Sequence, residues 1–181
     1  MAIKKNITID GIEVPFKASA AVPRLYRLKF RRDIYKDFSA LKTEVTEGDE
    51  NKSEIGIESL EVFENIAYIM AKHADPENVP DNPDDFLEQF NTFSIYEILP
   101  QLIELWGLNT ATQVESKKKH RPTDRPMTTA LLLLRCKQLG LSMAELDLLT
   151  IGLINDMFTE RENDEYSGWN ELASQSDMDM F

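Results

Sequence analysis

The side chains able to do chemistry in this chain are few and far apart. His73, His120 and the single cysteine Cys136 stand in three different stretches of the sequence. Structural metal sites draw on ligand pairs separated by only a few residues, so no metal site is expected and each histidine is expected to be a surface or solvated one. No G-x-S-x-G elbow, phosphate loop or dinucleotide fingerprint occurs, which leaves the serines and lysines without a partner arrangement for nucleophilic catalysis. Carboxylates are abundant, but an acid–base pair needs two contrasting environments that spacing does not supply. Asp84 and Asp85 are better placed as acids in the first turn of a helix, where the helix dipole favours them. No catalytic or cofactor-binding residue is therefore assigned, and the expectation is a protein that binds other proteins and is not an enzyme.

With one cysteine no intramolecular disulfide can form, and a reducing cytoplasm is the expected compartment. The N-terminal stretch has no apolar signal core, and no run approaches the roughly 18–20 apolar residues of a membrane span, so neither export nor anchoring is expected. The net charge of −12 argues against nucleic acid as the main partner. It is unevenly spread: residues 1–42, 43–116, 117–137 and 138–181 carry +6, −15, +6 and −9. Such blocks mark solvated faces and linkers, or surfaces complementary to charged partners. The basic run from Lys117 to Arg121 is short and lacks interleaved aromatics, so it reads as a hinge with at most a minor nucleic-acid contact.

The elements that position these residues are mainly α-helical. Ile7 to Phe16 alternates apolar and polar positions across Asp10-Gly11, the signature of a two-residue hairpin, with Ile12, Val14 and Phe16 on one face and Pro15 requiring an edge strand. A hairpin alone is barely stable and must pack on helices or pair with another chain. Pro23 suits the first turn of a helix carrying Leu25, Tyr26 and Phe30; Asp33 caps the next, in which Ile34, Phe38, Leu41 and Val45 share one face. After an acidic loop, Ile57 to Met70 form a third helix, Asn82-Pro83 opens a short fourth, and the Ser94–Glu97 capping box opens a fifth that reaches Trp106 and closes at Gly107, with Pro100 kinking it or shifting its start. Residues 109–126 lose all apolar periodicity and read as a linker. Beyond it Ala130 to Leu134 begin a helix ending at Gly140, and Ser142–Glu145 is a second capping box. The expected organisation is a hairpin packed on a small helical bundle (1–108), a polar and basic linker (109–126), a small C-terminal helical unit (127–161) and a loose acidic tail (162–181). Tyr26, Phe30, Ile34, Phe38, Trp106, Leu132 and Met157 on the apolar stripes, with Trp169 and Phe181 in the tail, are the candidate partner-binding residues. Trp169 and Phe181 either fold back on the C-terminal unit or serve as anchors that order on a partner.

The order of these parts has a resemblance. Residues 7–20, reading Ile-Thr-Ile-Asp-Gly-Ile-Glu-Val-Pro-Phe-Lys-Ala-Ser-Ala, followed by Pro-Arg-Leu-Tyr-Arg-Leu-Lys-Phe-Arg-Arg-Asp-Ile-Tyr-Lys-Asp at 23–37, resemble the tail assembly chaperones of long-tailed, siphovirus-type bacteriophages of Gram-positive bacteria. The later pattern from Leu131 to Met157 resembles the second reading frame of the same gene pair. The sequence departs at Arg31, where the family's Lys-Phe-Gly-Arg-Asp version of the motif has glycine. The resemblance implies a non-virion factor in the host cytoplasm whose first part coats the tail tape measure protein and whose second part recruits tail tube subunits; self-association through the N-terminal part is expected separately, from the edge-prone hairpin and the broad apolar stripes. The resemblance further implies that Lys117, Lys118 and Lys119 mark a programmed frameshift, this chain being the long fused product. The competing expectation is a cytosolic adaptor that binds a protein and touches nucleic acid through Lys117 to Arg121.

Overall fold

A computed structural model describes residues 2–47, 56–117 and 125–164. The chain opens with an antiparallel hairpin, β1 (Ile3–Ile9) and β2 (Ile12–Ala18), in register from Ile3 opposite Ala18 to Ile9 opposite Ile12. Asp10 and Gly11 take φ of 50° and 79°, the two successive left-handed residues that a type I′ turn requires. Ile7, Ile9, Val14, Phe16 and Ala18 are buried, whereas Ile12, at the tip of the hairpin, is 48% exposed and lies beyond the core that its alternation implied.

The hairpin packs against two of the seven α-helices found among the described residues. The central one is α3 (Ile57–Ala74), buried without a break from Asn65 to Ala71 because it touches β2 and several helices: α1 (Val22–Phe30), α2 (Ile34–Glu47), α4 (Pro83–Leu87) and α5 (Ile95–Thr110). Asp33 Oδ1 accepts from the Tyr35 amide at 3.2 Å and Asn82 accepts from that of Asp84 at 3.4 Å, so these two expected caps are made, whereas Ser94 opens α5 without the side-chain cap bond that the Ser94–Glu97 capping box implied. Pro100 lies inside α5, facing solvent, and the carbonyl it leaves without a donor is that of exposed Tyr96, which water can serve. The helix does not stop at Gly107. It runs on to Thr110, because Asn109 is buried at the seam described below and holds the last turn in place.

Beyond the linker come α6 (Thr129–Gln138), a 3-10 turn (Glu145–Asp147) and α7 (Ile151–Asn163). Gly140, at φ 75°, closes α6: the Gly140 amide donates to the Lys137 carbonyl and the Leu141 amide to that of Cys136, the paired bonds of a Schellman motif. The second capping box opens the 3-10 turn and no α-helix, since only its reciprocal half forms, with the Ser142 amide donating to Glu145 Oε2 at 2.7 Å. α7 begins later, where Thr150 Oγ1 accepts from the Leu153 amide at 3.1 Å. Two apolar cores result. The first joins the hairpin to α1–α5; the second joins Leu132, Cys136, Leu141, Leu146, Ile151 and Ile154 to Ala20 and Ala21 of the N-terminal part, with Leu25, Tyr35 and Trp106 touching both.

Candidate functional site

Of the side chains able to do chemistry, His73 lies at the seam between the two cores with Ser19 and Asp147, Cys136 is buried in the second core, and His120 lies outside the described residues. Backbone contacts cross the seam directly: the Ala2 amide donates to Leu148 O at 2.9 Å and the Ala20 amide to Leu149 O at 2.8 Å. Asn109, fully buried, spans the same joint, donating through Nδ2 to Ser19 O and accepting at Oδ1 from the Ile151 amide, both at 3.3 Å. A buried amide satisfied on both atoms fixes one relative placement of three segments, since any shift would orphan a polar group at about 1–3 kcal/mol.

The first half of the expected linker is part of this seam. Asp156, 8% exposed, accepts the Gln113 amide at 3.0 Å on both carboxylate oxygens and that of Val114 at 3.1 Å on Oδ1. Seven residues, and so about two helical turns, further along α7, Asn163 accepts from the Lys117 amide at 2.7 Å and donates to Glu115 O at 2.9 Å. The strap from Ala111 to Lys117 is thus held by its backbone, which is why its side chains carry no apolar period. It approaches so closely that a Cβ on Gly152 would lie 2.6 Å from the carbonyl carbon of Ala111, with the oxygen nearer still. Lys118, Lys119 and the rest of the basic run lie outside the described residues, so of the three lysines expected to mark a frameshift Lys117 alone is placed, at the end of the strap.

His73 is not the solvated residue its sequence context suggested. Its side chain is 7% exposed, with Nε2 2.8 Å from Ser19 Oγ and 3.2 Å from Asp147 Oδ1. A serine, a histidine and an aspartate in contact invite comparison with a nucleophilic triad, but both partners meet the same ring nitrogen, so the aspartate cannot orient the ring from the far side. Ser19 is fully buried and its Oγ already accepts from the Ala21 amide at 3.1 Å. The cluster is a polar rivet. Burial, and then the charge of Lys17, hold the His73 imidazole down to about 4, against the opposing pull of Asp147. Asp147 lies below the ordinary carboxylate range: burial pushes it up, but the Lys17 hydrogen bond at 2.9 Å and His73 outweigh it. No local signal in the sequence tied residues 19, 73 and 147 together, because each comes from a different element.

A second charged knot lies in the first core. Tyr26 donates to Asp37 Oδ2 at 2.7 Å, and Arg32 grips the same carboxylate with Nε at 2.7 Å and a terminal nitrogen at 3.0 Å. Burial, followed by the bond to Asp37, pushes the Tyr26 phenol far above its ordinary range. Asp33, besides capping α2, accepts the Thr129 amide at 3.0 Å and so ties α6 to α2.

These placements correct part of the candidate partner surface. Tyr26, Ile34, Phe38 and Leu132 are at most 5% exposed and hold the cores, so they offer nothing to a partner while the fold is intact. Phe30, Trp106 and Met157 are half-buried: Phe30 meets Tyr26 and Tyr68, Trp106 stacks on Phe38 at 5.1 Å, and Met157 packs on the second core. Trp169 and Phe181 lie outside the described residues. Among the described residues no three metal-ligating side chains converge, and no helix is long and apolar enough to cross a membrane. The comparisons add no relative. No family model, curated protein or solved structure matches this chain.

Proposed function

We propose that this chain is a tail assembly chaperone of a long-tailed phage in its long, fused form: it coats the tape measure protein in the host cytoplasm, and its C-terminal unit recruits tail tube subunits. The observation that carries the reading is the way α6 and α7 cover a face of the N-terminal part made by Ala20, Ala21, Leu25, Tyr35 and Trp106. A product ending soon after Lys119 keeps the hairpin, α1–α5 and their core but lacks every residue that covers this face. The two products of a frameshifting gene then differ in surface as well as length: the short form would turn this additional apolar face to a long amphipathic partner, and the long form would bind alongside it with the face occupied by α6 and α7.

The turn at Lys29–Asp33 adds support, because Arg32 and Asp33 of the resembling motif make contacts there and the position of Arg31 suits the family's glycine. Arg31 stands at φ 60°, a left-handed position that favours glycine, which is the residue in the family's version of the motif. Arg32 holds Asp37, and Asp33 caps α2 and receives the Thr129 amide.

The reading is tested by expressing the gene with native codons and with synonymous codons for Lys117, Lys118 and Lys119, then assaying capture of tail tube protein. Native codons should yield a short and a long product, of which only the long one captures tube protein. A single full-length product from both versions, or equal capture by the short form, contradicts the division of labour.

A further inference from the structure

Where α2, the end of α5, α6 and α7 meet, a cavity of about 320 Å³ opens to the surface. It is lined by Arg125 and Arg135 together with Thr110, Met127, Ile151 and Asn155, and among the described residues no carboxylate lines it, in a chain of net charge −12. Among the described residues neither arginine forms an ion pair. Arg135 is nevertheless held in place: Nη1 donates to Asn155 Oδ1 at 2.7 Å, and the guanidinium lies 5.0 Å from the centre of the Phe158 ring. A guanidinium fixed by a ring and one amide oxygen retains further N–H donors in a set direction, the condition under which arginine takes a carboxylate in a planar two-point contact. Tyr35 and Met127 also line an adjoining groove of about 590 Å³ along α2, walled by Ala40 and Pro126 with Lys36 at its side. The two spaces make one cleft with a cationic end and a more apolar end.

We infer that this cleft binds a peptide segment of a partner protein that carries an aspartate or glutamate beside apolar side chains, the carboxylate paired with Arg135 and Arg125 and the apolar neighbours lying along α2 against Met127 and Ala40. Charge complementarity selects the occupant: the cleft gathers Arg125, Arg135 and Lys36, without an acidic neighbour among its described lining residues, on a molecule whose charge is net negative, so an acidic segment is favoured here over the acidic stretches elsewhere. The inference does not depend on which assembly the chain serves.

The test is an amide-resolved NMR titration of the full chain with the capped peptide acetyl-Phe-Asp-Leu-amide, its neutral counterpart acetyl-Phe-Asn-Leu-amide, and inorganic phosphate. The acidic peptide should shift resonances of residues lining the cleft on α2, α6 and α7 and bind at least about tenfold more tightly than the neutral one, a single charge-assisted pair being worth about that factor. Arg125→Gln, at an exposed position where folding is not at stake, and Arg135→Met, which keeps the stem over Phe158, should each erase that preference; Asn155→Ala should reduce it by releasing Arg135. Equal binding of the two peptides overturns the inference. So does phosphate binding as tightly as the acidic peptide, which would leave an anion site with no apolar arm, and so does undiminished preference in Arg125→Gln and Arg135→Met.

Discussion

Replacing Gly152 by alanine should loosen the C-terminal unit from the rest of the molecule. The added Cβ would lie 2.6 Å from Ala111 C and closer still to its oxygen, against an ordinary contact of about 3.4 Å or more, so the oxygen sets the requirement and the strap must retreat by about 1.5 Å. The obstacle is backbone, which no rotamer change removes. Overpacking of this kind costs about 1–3 kcal/mol. The same retreat stretches the Gln113 and Val114 bonds to Asp156, and hydrogen bonds to a charged group contribute about 1.5–3 kcal/mol. Alanine returns up to about 1 kcal/mol through helix propensity, leaving a net loss of about 2–4 kcal/mol. Cys136 reports the effect directly: it is fully buried in the second core, and burial pushes its thiol above the ordinary range, so a thiol reagent labels it only when the unit opens. A loss near 3 kcal/mol should speed native-state labelling about 100-fold. Labelling and urea midpoints within twofold of the parent would refute the claim that the strap's close approach fixes the seam.

Other outcomes follow from single contacts. Arg31→Gly should stabilise the protein by up to about 1 kcal/mol in chemical denaturation, because it removes a side chain from a left-handed position while adding some unfolded-state freedom. Asp37→Asn should cost about 2–4 kcal/mol in the same assay, since it weakens the grip of Arg32 and changes the acceptor for a buried Tyr26 hydroxyl. His73 is a base whose value falls from 6.5 to about 4 on folding, so its contribution is complete above about 6.5 and is lost as pH falls toward 4, where only the unfolded chain takes the proton. His73→Gln should therefore show a shallower loss of stability than the parent between pH 7 and pH 5, with Lys17, Lys4 and Asp147 as the charges facing the ring; parallel profiles would contradict this.

The elements written in short-range chemistry were legible. Asp10-Gly11, Asp33, Asn82-Pro83 and Gly140 each carry a turn or cap whose geometry depends on one or two residues, and each sits where its residue type requires. The misreadings around the end of α5 share one cause, whereas the capping boxes at Ser94 and Ser142 fell short locally. Gly107 looked like a stop and residues 109–117 like a free linker because what holds them, Ser19 and Ile151 on Asn109 and then Asp156 and Asn163 on the strap, comes from distant segments. The buried setting of His73 was hidden for the same reason. The apolar stripes were read correctly as stripes, but a stripe does not say whether it meets its own chain or another, and Tyr26, Ile34, Phe38 and Leu132 meet their own.

The central claim is that the chain holds a tape measure protein in solution, and co-expression of the two, followed by size-exclusion chromatography with light scattering, tests it most directly. The account predicts a soluble complex carrying several copies of this chain per tape measure, stable when salt is raised far enough to strip any nucleic acid. A tape measure that stays insoluble beside a chain eluting alone would contradict it.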